Sequence, residues 1–425
     1  MRRHLVALLS AAVAFGCNAQ IVRAQTIAIT GGMVYPVSGA PITNGTVLIR
    51  NGKIAEVGAT VVIPADAQRI DATGKVVTPG LINAYTALGV DEVSGVSETR
   101  DVQARGTDAI AAAFRVWDGL NSNSALIGAT RNEGITSVLV APVGGLVSGQ
   151  AALVDLLTGR STEMLRRTPA AMVVQLTSPN EAGTDARGEM IAKLRALLDD
   201  AVYYHQHRTE YDKRGARVLT ASRADLEALT PVITGALPLA ILADRADDLD
   251  AALAIARDYH LKLILFGAAE GWMRASAISA ANVPVVVGAM NNIPNTFSML
   301  HARQDNAALL RKAGVRVAMM GNAGDSDEEQ FNVRNVKYEA GNAVSYGMPH
   351  DDALRAVTLT PAELFGAAGQ VGSLQVGKDA NVVIWSGDPF EFSTRVEHVL
   401  IRGREELRAS RQDMLEQRYR TLPPQ

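Results

Sequence analysis

Seven histidines and one cysteine are the scarcest chemically versatile side chains in this 425-residue chain. His205 and His207 form a His-x-His pair in "AVYYHQHRTEYDK". On a strand, such a pair directs both imidazoles at one ion. The surrounding residues have helical character, however, and on a helix residues two apart point about 200° from each other and cannot chelate. His350 follows Pro349 and precedes "DDALRAVT", a helix start where capping or solvation accounts for it. His260, His301 and His398 stand alone and read as surface or interface histidines.

The acidic stretch "GDSDEEQ" places Asp325, Asp327, Glu328 and Glu329 together without the spacing and glycine of a calcium loop. It reads as the acidic first turn of a helix, which complements the dipole, with Ser326 and Glu329 forming a capping box. "GGLVSGQ", Gly144 to Gln150, matches neither phosphate-binding glycine motif and reads as a tight turn between two strands. Glu270 opens "EGWMRAS" directly after an apolar run. A carboxylate there faces a barrel mouth by position, and helix N-terminal charge explains it equally well. Ser148 and Gln150 are candidate polar groups of a pocket if the turn that holds them lies on the active face of the domain.

With 48% hydrophobic and 20% charged residues, the chain can bury a large core. A formal net charge of −3 in no long like-charge run provides no footprint for phosphate backbones, so no nucleic-acid partner is expected. Arg2 and Arg3 precede an apolar run from Leu5 to Gly16, followed by "IVRAQ". That is the pattern of an export signal over residues 1–25, cleaved before Gln25, and it predicts a periplasmic protein of Gram-negative type. The run is short of the ~20 apolar residues needed to span a bilayer, so no integral membrane span is expected. Cys17 lies inside this segment, and cleavage leaves no thiol; lipidation at Cys17 is the alternative, with bulky Phe15 against it.

Residues 26–77 read as short β-runs, with Asn51-Gly52 as a hairpin turn, and a second β-rich group lies in 367–404. Between them, in 78–366, eight apolar runs alternate with helical stretches: "GLINAY", "ITSVLVAP", "AALVDLL", "AMVVQL", "LPLAIL", "LKLILF", "VPVVVG" and "VRVAMMG". The pattern argues for a parallel sheet closed into a (β/α)8 TIM-like barrel. Helices are expected over Ala246 to Asp258 and Asp305 to Ala313, and a helical tail over 405–425.

"VVTPGLINAYTALG", "GITSVLVAPVGGLVSGQAALVDL", "LPLAILADRADDL", "DDALRAVTLTPAELFG" and "VGSLQVGKDANVVIWSGDP" together resemble the amidohydrolase superfamily, in its secreted imidazolonepropionase-like branch. The resemblance runs from about Thr26 to Arg404. It implies a metal-dependent hydrolase acting on carbon–nitrogen bonds other than peptide bonds. It also implies that the terminal β-segments join into one small composite β-sandwich beside the barrel. In that family one or two divalent metals are held by His-x-His after strand one, a carboxylated Lys or Glu after strand four, His after strands five and six, and Asp after strand eight. The metal lowers the pKa of its water to about 7 and the Asp takes the proton.

Carried over residue by residue, the paired position holds Tyr85 and Ala87, the strand-five position Leu242, the strand-six region Gly267 and Ala268, and the proton-shuttle position Asn322. Strand four has Gln175, and Asn381 replaces a structural Asp. Ala and Leu have no lone pair to give, and Asn and Gln have only neutral carbonyl oxygens. The chain therefore reads as a pseudoenzyme with no resident cofactor. Its pocket candidates are Asn83, Tyr85, Ser148, Gln150, Glu270 and Asn322. The expected partners are a small-molecule ligand, and either further copies of the chain or a metal-competent relative. The alternative is an active hydrolase of a cyclic amide or dipeptide-like substrate with an atypical site, and only there would zinc or another divalent metal enter.

Overall fold

A computed structural model describes residues 26–93, 95–104, 109–177, 186–213, 218–290, 292–321 and 332–420. The export segment, Asn322 and the acidic stretch 324–330 with its capping box lie outside the described residues.

Two sheets organise the chain. The first is built from β1 (Thr26–Val34), β2 (Ile42–Arg50), β3 (Lys53–Gly58), β4 (Gln68–Asp71) and β5 (Val76–Pro79). The second holds β6 (Leu81–Thr86), β7 (Ile135–Val140), β8 (Val147–Asp155), β9 (Leu165–Gln175), β10 (Leu239–Ala243), β11 (Leu263–Gly267), β12 (Val285–Val287) and β13 (Val317–Met319). The chain then returns to the first sheet with β14 (Val382–Trp385), β15 (Val396–Ile401) and β16 (Arg404–Glu405).

The hairpin between β2 and β3 turns on Asn51 and Gly52, both left-handed at φ 52° and 77°, as a type I′ turn requires. In the first sheet the order is β16-β15-β14-β5-β1-β2-β3, with β4 beside β1. β5 and β14 pair antiparallel from Val76↔Trp385 to Pro79↔Val382, which joins the two ends of the chain. Thr78 and Pro79 thus belong to this sheet rather than to the barrel. The final strand ends at Glu405, and the tail helix is Arg411–Tyr419.

The second sheet runs β6 to β13 in sequence order. All eight apolar runs are its strands, giving a TIM-like barrel, with one correction to the expected parallel sheet: β8 is antiparallel to both β7 and β9. The connections explain the reversal. Only residues 141–146 separate β7 from β8, whereas a parallel crossover needs about a dozen residues. The start of β8 therefore lies at the mouth, with the C-terminal ends of the other strands.

Barrel closure falls on Asn83 of β6, which is fully buried. Its Nδ2 donates to Val333 O at 3.1 Å and its Oδ1 accepts the N–H of Gly321, just past β13, at 3.4 Å. The interior is apolar, with Ile82, Ala84, Leu139, Leu153, Val173, Ala240, Ile264, Val286 and Ala318 in one buried cluster. Leu364 and Phe365, at the end of the helix Leu359–Leu364, join that cluster.

At the far end of β8, Asp155 is wholly buried and receives Arg166 Nε and Nη2 at 2.8 and 2.5 Å. Arg166 also reaches Asp379 at 2.9 Å, and Arg402 Nε reaches Asp155 at 2.8 Å. Two barrel strands are thereby tied to the terminal sheet through charges that satisfy one another.

Candidate active site at the barrel mouth

Tyr85 is 5% exposed and packs into the interior cluster, its ring 5.6 Å from Phe266 at 56°. Phe266 in turn lies 6.5 Å from Phe365 at 27°, so three aromatic rings succeed one another through the barrel. The backbone N–H of Tyr85 donates to Asn83 Oδ1 at 3.1 Å. Asn83 thus serves the strand end and the barrel seam at once. Ala87 is buried in the outer core, and Leu242 packs against the interior cluster.

After β11 the chain turns through Gly267 and Ala268, left-handed at φ 80° and 47°. Ala268 is the less comfortable of the two, because its Cβ disfavours that region. Gln175 is buried, and its Nε2 donates to Ser148 Oγ at 3.4 Å. Gln150 instead donates to Ala112 O at 3.0 Å, which binds the long β6–β7 excursion to β8. The structure therefore brings Ser148 together with Gln175 and turns Gln150 to a loop carbonyl.

Glu270 is 3% exposed at the rim after β11. Oε2 accepts the N–H of Ala246, in the first turn of the helix Ala246–Asp258, at 3.0 Å. Oε1 accepts the N–H of His301 at 2.9 Å and lies 3.1 Å from its Nδ1. Burial opposes the charge, but these N–H donors and the imidazole hold the carboxyl below its ordinary value. Trp272 sits in the short 3-10 turn Gly271–Arg274 and donates from Nε1 to His301 O at 2.8 Å.

His301 is the residue that the sequence reading missed. It reads as isolated because its partner is 31 residues away, yet its imidazole is 62% exposed and backed by a buried carboxylate. Arg187 adds a further tie across the rim, donating to Asp248 at 2.9 Å and to Ser298 Oγ at 2.7 Å. His205 closes the helix Arg187–Gln206 and His207 follows it, its ring stacked 4.3 Å from Tyr203. His350 pairs through Nε2 with Asp388 at 3.0 Å, so it is engaged rather than solvated.

The donor set does not fit the metal centre that the resemblance implies. Ala87 and Leu242 have no donor atom, the Tyr85 ring is packed on Phe266, and the Gln175 amide faces Ser148. Among the described residues no three His, Cys, Asp or Glu side chains converge as ligands.

The amidohydrolase family model matches residues 178–405, more than half of the chain. The chain belongs to the amidohydrolase family. An imidazolonepropionase of Acidiphilium cryptum is 26% identical over 382 residues, 82% of this chain and 89% of that protein. Amidohydrolase tasK of Hapsidospora irregularis is 23% identical over 388 residues, 81% of this chain; the alignment spans 38% of tasK's own length. The crystal structure of an amidohydrolase from Thermotoga maritima superposes with a TM-score of 0.81 at 26% identity, covering 90% of this chain and all of that one. Molinate hydrolase, at 20% identity and a TM-score of 0.53 over 90% of this chain and 94% of that one, shares the fold alone. No helix among the described residues of this chain is long and apolar enough to cross a membrane.

Proposed function

We propose that this amidohydrolase-family barrel is catalytically silent and serves as a binding subunit, alone or beside a metal-competent relative. One observation carries the reading: at the mouth, where relatives would need imidazole ligands, Tyr85 packs on Phe266, and Ala87 and Leu242 offer no donor. A metal hydrolase needs deprotonated or imidazole ligands to hold its ion. The test is elemental analysis of protein expressed in metal-supplemented medium and dialysed against a weak chelator. Zinc, iron and manganese far below stoichiometry are expected; about one tightly held ion per chain overturns the reading.

The second reading, hydrolysis of a carbon–nitrogen bond by an atypical site, draws on Glu270 and His301. A buried carboxylate 3.1 Å from Nδ1 orients an exposed imidazole, an arrangement suited to accepting a proton at Nε2. Turnover of a panel of cyclic amides and dipeptides that disappears in His301→Gln would establish it; no turnover across the panel favours the silent barrel.

The proposal extends to export. It is supported by the basic, apolar and small-residue order of residues 1–25. Mass spectrometry of the protein from a periplasmic extract is expected to show a chain beginning at Gln25, and an intact Met1 start would reject it.

A further inference from the structure

Away from the barrel mouth, a cleft of about 250 Å³ opens between the helix Val336–Ser345 and the turn that follows β14. Tyr338, Asn342 and Ser345 line one side, at the three- and four-residue spacing of a single helix face. Gly341 lets the turn approach: a Cβ there would stand 3.1 Å from Phe390 O and 3.3 Å from Phe390 Cβ.

The walls are partly aromatic, and the charged side chains that line the cleft are two carboxylates, Asp388 and Glu391, beside the His350 imidazole. Phe392 is stacked on Tyr338, with centroids 4.3 Å apart at 20°, and yet is 76% exposed. An aromatic ring left this open at the edge of a cleft is the kind of surface that recognition uses. Asp388 is committed to His350 at 3.0 Å and to the N–H of Phe390 at 2.9 Å. Glu391 makes no ion pair and no side-chain hydrogen bond with any described residue, although it lines the same cleft. Lys337 lies behind the wall, 4.9 Å from the Tyr338 ring, with its ammonium on Glu133. An imidazole already engaged by Asp388, one unpaired carboxylate and an open aromatic face together disfavour an anion and match a planar organic cation.

We infer that this cleft binds the guanidinium group of a small ligand, with Glu391 accepting its N–H donors and Phe392 offering a ring face. The volume accommodates one such group on a short alkyl chain rather than a folded partner. Saturation-transfer NMR on the full chain at low ionic strength tests this with butylguanidinium and its uncharged isostere butylurea.

Saturable binding of butylguanidinium with a Kd on the order of millimolar is expected, with butylurea silent. Glu391→Gln and Phe392→Ala are each expected to weaken it about fivefold. Both side chains are exposed, so the thermal midpoint of each variant should match the parent. Acetyl-arginine-amide binding more tightly than butylguanidinium would assign the group to a protein's arginine side chain. Equal binding of butylurea, an affinity unchanged in both variants, or no saturation up to the solubility limit would each overturn the inference.

Discussion

Tyr85 and Phe266, from β6 and β11, meet across the barrel with their ring centroids 5.6 Å apart. The contact puts two aromatic rings where the family's fold gathers polar ligands, and it makes the top of the barrel part of the core. Whatever this protein binds at the mouth must meet these rings beside the Ser148–Gln175 pair rather than a set of imidazoles.

Restoring histidines at the first strand end does not rebuild a metal centre. In the Tyr85→His, Ala87→His double variant, calorimetric titration with zinc is expected to show no tight site. Two imidazoles leave the shell incomplete while Leu242 stands at the strand-five position. Tight binding absent from the parent would show that other side chains complete the shell and overturn the expectation.

Truncating Phe266 opens the barrel interior. This side chain is 1% exposed and lies between the rings of Tyr85 and Phe365. Phe266→Ala is expected to lower unfolding stability by about 3–5 kcal/mol, read from urea denaturation. A loss below ~1 kcal/mol would mean that the interior collapses freely around the gap.

Arg166→Met removes the main partner of a carboxylate with no exposed surface. Asp155 then keeps Arg402 and the Ser137 hydroxyl but loses both Arg166 bonds, and a cost of about 2–3 kcal/mol is expected. Arg160→Met is the control: its pair with Glu163 is largely exposed, 82% and 43%, and its loss should stay within about 0.5 kcal/mol. Equal effects of the two substitutions would deny that the buried clamp holds the sheets together.

The His350–Asp388 pair makes stability depend on pH in a defined direction. The Asp388 hydrogen bond raises the imidazole above its ordinary 6.5 against the pull of burial, and the His350 bond foremost lowers the Asp388 carboxyl. The imidazole's contribution is fully present below its ordinary value and is lost as pH rises through the raised one. The carboxyl's contribution is present above the ordinary carboxylate range and is lost as pH falls through the lowered value. Both side chains are part-exposed, so the whole effect is at most about 1 kcal/mol. The difference in unfolding free energy between the parent and His350→Gln should therefore shrink from about pH 5.5 to about pH 8.5. A difference that grows over this range would reverse the assignment.

The barrel was legible because each strand is a buried apolar run, and such runs survive in sequence whatever surrounds them. Direction was not, since a run buried on both faces reads the same both ways; the short gap between Val140 and Val147 was the one local sign that β8 turns back. At the mouth, the residue types at 87 and 242 could be read directly, since Ala and Leu carry no donor atom wherever they point. What Glu270 does there could not be read, because its partners are backbone N–H groups of Ala246 and His301, brought in by loops from distant parts of the chain. Asn83 shows the same limit: its bond to Val333 O spans 250 residues and leaves no pattern in either segment.

The pairing of β5 with β14 also sets an order of assembly. Trp385 Nε1 donates to Thr78 Oγ1 at 2.9 Å across 307 residues, so β5 must wait until β14 has been synthesised before its second edge is covered. During that interval the nascent molecule carries an open strand edge, a template for wrong pairing with neighbouring chains. β14 thus acts as the stopper of an edge that β5 exposes, and a chain halted before Val382 is expected to be more prone to aggregation than one that includes it.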